Sequence, residues 1–145
     1  PGNHQDFEIF VPPYLTNGKE MATQPVIRSA PNSFAPGSWI AVKMNTDQMH
    51  TFALIRTSAV THSVNNDQRR IPLSVAGRSG KHFYMQVPSN PNVVITGVYY
   101  LFAMNENGVP SVAKAVRIKL VGSGSFILEF ISGIVRHVRF NKRSS

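Results

Sequence analysis

Punctuation constrains this chain more than any other feature of its sequence. Short runs rich in β-branched and aromatic residues are separated by clusters of Pro, Gly, Asn and Ser, and no helical apolar period is sustained before residue 122. Breakers at that frequency leave each segment only long enough for a strand, so an all-β sandwich or barrel is predicted in place of a helical bundle. Phe7 to Val11 reads as a first extended segment, stopped by Pro12 and Pro13, and Gln24 to Ala30 as a second. In Ser38 to Met44, Ile40, Val42 and Met44 fall on one face and Trp39, Ala41 and Lys43 on the other. Phe52 to Thr57 repeats the alternation, with Arg56 on the Phe52 face near the strand end. Arg70 to Val75, His82 to Val87, Val98 to Met104 and Ser111 to Leu120 supply further strands, separated by Gly77 to Gly80, Pro88 to Pro91 and Asn105 to Pro110. Asn105-Glu106-Asn107-Gly108 predicts a tight reversal that makes a hairpin of its flanking strands, because Asn and Gly tolerate positive φ. Seven to eight antiparallel strands with no intervening helix fit two packed sheets, each inner face filled by every second residue.

At Gly122 the character changes, which divides the chain into a sandwich domain over residues 1–121 and a linker with a basic tail over 122–145. Gly122-Ser123-Gly124-Ser125 has a flexible-linker composition. Apolar residues at 126, 127, 130, 131, 134, 135 and 138 then follow a helical spacing, although Val135 to Phe140 also alternates as a strand would. A basic amphipathic helix suits an anionic membrane surface or a groove on a protein partner. The plainer reading is a segment packed on its own domain or appended after a linker.

Size and composition set outer limits. With 145 residues, 42% of them hydrophobic, the chain can build a single core without metal or disulfide staples. The absence of cysteine removes disulfides, thiolate catalysis and sulfur-ligated metal sites. Fifteen Lys and Arg against seven Asp and Glu give a formal charge of +8, which invites an anionic partner. The basic residues are nevertheless scattered, and the dense run of Arg136, Arg139, Lys142 and Arg143 is confined to the tail, so nucleic-acid binding is disfavoured. No apolar stretch reaches the roughly 18 to 20 residues of a transmembrane helix.

The chemistry-bearing stretch runs from Val60 to Leu73, reading Val-Thr-His-Ser-Val-Asn-Asn-Asp-Gln-Arg-Arg-Ile-Pro-Leu. It places His62 in a polar loop between two apolar strands, where binding groups commonly sit. From residue types alone His62 is a metal ligand, a general base or an ordinary surface histidine. No second His, Asp or Glu stands at a recognised metal spacing, and His50 lies across a predicted strand. No serine occupies a nucleophile motif. Asp67 with Arg69 or Arg70 reads as a loop-stabilising ion pair.

Three stretches, Thr51 to Arg56, Val60 to Leu73 and Gly97 to Ala113, together resemble consecutive signatures of the C-terminal early-set, immunoglobulin-like domain of the galactose oxidase and glyoxal oxidase family. Phe7 to Leu15 resembles the segment by which a preceding propeller enters that domain, so the resemblance runs from about Asp6 to Val121. It implies a copper radical oxidase that oxidises alcohols or aldehydes with oxygen and releases hydrogen peroxide. In that family a seven-bladed kelch-type propeller carries most of the active site, and a hairpin of the C-terminal sandwich delivers one histidine to copper. His62 matches that ligand, and Asn65 and Gln68 are the neighbours placed to orient its ring. The family's two redox tyrosines, one cross-linked to a cysteine, and its second histidine belong to the propeller. Tyr14, Tyr84, Tyr99 and Tyr100 therefore inherit no such role, and packing is expected of Tyr99 and Tyr100. A lone imidazole cannot give Cu(II) its tetragonal nitrogen and oxygen field, so the domain by itself is expected to be redox-silent. The resemblance also implies secretion. The competing reading is a stand-alone, non-catalytic immunoglobulin-like module that keeps the motif for assembly.

Overall fold

The structure is a computed structural model that describes residues 9–48, 50–59, 62 and 64–120. The expected first strand lies partly outside these residues; from Ile9 to Pro12 the chain is irregular, followed by one 3-10 turn at Pro13–Leu15. The tail beyond residue 120 likewise falls outside the description.

Nine strands are present among the described residues: β1 Ile27–Ser29, β2 Ser33–Phe34, β3 Trp39–Met44, β4 Thr51–Arg56, β5 Arg70–Leu73, β6 Val75–Ser79, β7 His82–Gln86, β8 Gly97–Met104 and β9 Lys114–Ile118. They form a four-stranded sheet in the order β1-β3-β7-β6 and a five-stranded sheet in the order β2-β9-β8-β4-β5. Alternation builds the core from both. Ile40, Val42 and Met44 of β3 and Phe83 and Met85 of β7 are buried with Phe52 and Leu54 of β4, Tyr99 and Leu101 of β8, and Val116 and Ile118 of β9. Burying each of the larger side chains contributes roughly 1.5–3 kcal/mol, and the ordering of the backbone consumes most of that gain.

Two strands were not anticipated. The run expected as one strand from Arg70 to Val75 breaks at Ser74: β5 pairs with β4 in one sheet, and β6 pairs with β7 in the other. Ile71 and Leu73 follow the β4 register against Leu54 and Phe52, after which the chain crosses to the second sheet. Gly77 to Ser79, expected as a separator, is thereby edge strand, with a register irregularity between Val75 and Gly77. Pro72, which has no N–H to donate, is tolerated because β5 is the edge of its sheet. The second unexpected strand is β2, which pairs with β9 in parallel, so the sheets are not wholly antiparallel. Its two residues sit between Pro31 and Pro36, where turn residues mask any strand pattern.

The β8–β9 connection behaves as its sequence predicts. Asn105 Oδ1 accepts the backbone N–H groups of Asn107 and Val109, and Gly108 takes φ +77. β8 and β9 then pair antiparallel from Gly97 opposite Ile118 to Leu101 opposite Lys114.

Candidate functional site

β4 and β5 form an edge hairpin whose connection, residues 57–69, contains His62. His62 is exposed and takes φ +52, the one positive-φ residue other than glycine among the described residues. A left-handed backbone costs a side-chain-bearing residue about 1–2 kcal/mol, so the surroundings of the loop must hold it there. Asn65 and Gln68, the expected orienting neighbours, are exposed on the same connection, with no hydrogen bond to the imidazole among the described contacts. Val60, Thr61 and Ser63 of the motif lie outside the described residues.

The base of this loop is tied down at several points. Arg56 N–H donates to Arg69 C=O at 2.9 Å, and Thr57 donates to Val98 C=O through both its backbone N–H, at 3.0 Å, and its hydroxyl, at 2.9 Å. Arg69 Nη1 donates to the carbonyls of Asn92 at 2.6 Å and Val93 at 3.0 Å. Arg56 Nε lies 2.9 Å from Asp67 Oδ2, the one ion pair among the described residues. That pairing corrects the expectation that Asp67 would pair with Arg69 or Arg70. Arg69 is engaged with the 92–93 turn, and Arg70 is exposed on β5. In the sequence Arg56 is legible as a charged residue on the core face of β4, a position where an isolated guanidinium is costly and a carboxylate partner is needed.

The other histidine of this strand has the opposite environment. His50 immediately precedes β4 and is only 3% exposed, edge-on to Phe52 and Phe83 with ring centroids 6.3 and 5.4 Å away. Its Nε2 is 3.4 Å from Thr46 Oγ1, and its Nδ1 is buried without an aligned partner. Desolvation pushes its pKa below the ordinary 6.5, an effect the Met104 backbone partly offsets, so this imidazole is held neutral. It borders a polar cleft of about 370 Å³ that also includes Asn45, Thr46 and Glu106. Tyr99 is fully buried in the core with its hydroxyl donating to Ile95 C=O at 2.8 Å, as its expected packing role requires, whereas Tyr100 is exposed on the outer face.

Among the described residues no group of three or more His, Cys, Asp or Glu could hold a metal. His62 is exposed and stands apart from any such group. Residues 24–118 match the model of the galactose oxidase-like, early set domain. The chain belongs to that family. This early-set domain is 44% identical over 119 residues to a galactose oxidase of Gibberella zeae, which covers 80% of the chain and 17% of that protein. A second Gibberella zeae galactose oxidase is 42% identical over 118 residues, with the same coverage. Among solved structures, a fungal alcohol oxidase of the AA5 family in complex with copper superposes with a TM-score of 0.71 at 44% identity, covering 75% of this chain and 24% of that one. The early-set domain thus spans 17% of the length of these curated relatives.

Proposed function

We propose that this early-set domain serves a copper radical oxidase by capping a kelch-type propeller and presenting His62 as one copper ligand. The carrying observation is an exposed imidazole in a left-handed backbone, on a loop whose base is tied at several points. When bound, copper would supply the one-electron chemistry for oxidising an alcohol or aldehyde with oxygen to give hydrogen peroxide. The contribution of this chain is positional. The hairpin offers one exposed imidazole, with Asn65 and Gln68 close enough in sequence to fix the ring's orientation once a partner surface encloses the loop. The remaining ligands, the redox side chains and the substrate pocket belong to the propeller, and secretion follows from kinship with such oxidases.

The test is a His62→Ala substitution in the full gene product. Copper content and oxygen uptake should collapse while the far-UV signature of the sandwich persists. An active, copper-replete His62→Ala protein removes the proposal. The stand-alone module predicts instead a gene product without propeller repeats, and one whose behaviour ignores copper.

A further inference from the structure

The ties beneath the His62 loop differ in kind. The backbone hydrogen bonds of Arg56 and Thr57 continue the sheet pairing, and Arg69 anchors the returning chain to the 92–93 turn. Asp67 is reached only through a side chain. Its carboxylate is half exposed, whereas the Arg56 side chain is 19% exposed and rises from the core face of β4. The Arg56 guanidinium also lies over Gly97: a Cβ built there would meet Cζ and Nη2 at 3.7 Å, so bare backbone at the start of β8 forms one wall of its slot. Nε and Nη1 are both buried without an aligned acceptor among the described residues, so the contact with Asp67 is an ion pair by distance and not an aligned hydrogen bond. A guanidinium in that setting needs a counter-charge, and the Asp67 carboxylate five residues after His62 is the one that meets it.

We propose that Arg56, acting through Asp67, is the positioning residue for the His62 loop: neutralising the largely buried guanidinium draws the descending limb of the loop onto the end of the sandwich and so sets how the imidazole is presented. The proposal rests on the reading of His62 as a metal ligand for its consequence, but its structural half is independent of copper. The arrangement is asymmetric. Removing the guanidinium releases an Asp67 that water can solvate, whereas removing the carboxylate strands a charge with little water around it.

Amide hydrogen exchange on the 145-residue chain tests the structural half. Arg56→Met keeps the packed alkyl stem and removes the charge, and should speed exchange at residues 64–69 by about tenfold, leaving β3 and β7 of the other sheet unchanged. Arg56→Lys should recover part of the protection, because charge is restored without the planar fork. Arg56→Met/Asp67→Asn should be no looser than Arg56→Met, since the interaction is already lost. Unchanged exchange at 64–69, or equal acceleration through both sheets, overturns the proposal.

The second arm uses the full gene product: Arg56→Met should weaken copper retention by about tenfold, the scale expected for a residue that orients a ligand. A looser loop with undiminished copper retention also overturns the positioning role. His62→Ala is run alongside. If that variant keeps its copper, the metal reading fails while the exchange result still decides whether Arg56 holds the loop.

Discussion

The two histidines that bracket β4 are of one residue type, separated by a strand whose six residues rise about 20 Å, and the sandwich treats them in opposite ways. His50, at one end, is sealed against Phe52 and Phe83 and held neutral by desolvation. His62, beyond the other, is exposed on a left-handed backbone above a clamped loop base. Imidazole chemistry is identical in both places, so the difference comes from which end of the hairpin the core covers. The buried ring serves packing, and the exposed ring is the one free to meet a partner.

The largest effect expected from breaking this contrast is at His62, but only in function. His62→Ala should lower copper-dependent turnover of the full gene product by more than the 10–100-fold typical of outer-shell changes, while the thermal midpoint of the sandwich moves by no more than about 2 °C. His50→Ala should do the reverse, destabilising the domain by about 2–3 kcal/mol in denaturant unfolding through the cavity and lost aromatic edges. Copper retention in the folded His50→Ala protein should stay at the wild-type level. A functional loss at His50 matching that at His62 would dissolve the comparison.

Smaller effects sharpen it. Asn65→Ala and Gln68→Ala should each reduce copper retention by about tenfold if they orient the ring, with no change in unfolding midpoint, since both side chains are exposed. The smallest effect is in pH. Because the folded-state pKa of His50 is depressed below 6.5, the unfolded chain takes up a proton first as pH falls. The stabilisation is complete above about pH 6.5 and is lost progressively as pH drops towards the folded value, with a slope of at most about 1.4 kcal/mol per pH unit. The thermal midpoint of wild type should fall relative to that of His50→Leu as the pH is lowered through that range, and a parallel pair of curves would show that another group titrates.

Much of the fold was legible in the sequence. Strand β3 shows period-two burial in the alternation of Ile40, Val42 and Met44, and the Asn105-to-Gly108 reversal follows from local backbone preferences alone. The early-set signature around His62 likewise pointed to the family that the match over residues 24–118 establishes. These are local properties, written within a few residues and independent of what packs against them.

What the sequence left open were the choices between partners. Ser74, no stronger a breaker than its neighbours, became the crossing point because Ile71 and Leu73 were claimed by β4 and the following residues by β7. Asp67 had basic residues two and three positions away, yet it pairs with Arg56 across the neck of the loop, where a guanidinium on the core face had the greater need of charge. Alternation and turn chemistry are fixed by each residue's own geometry and solvation, so the sequence by itself was enough for the all-β class, the core face of strands such as β3, and the family. Only the closed sandwich decided which strand joined which sheet, which carboxylate met Arg56, and which of two equivalent imidazoles was left facing outward, because each depends on desolvation and long-range packing that no short window of sequence contains.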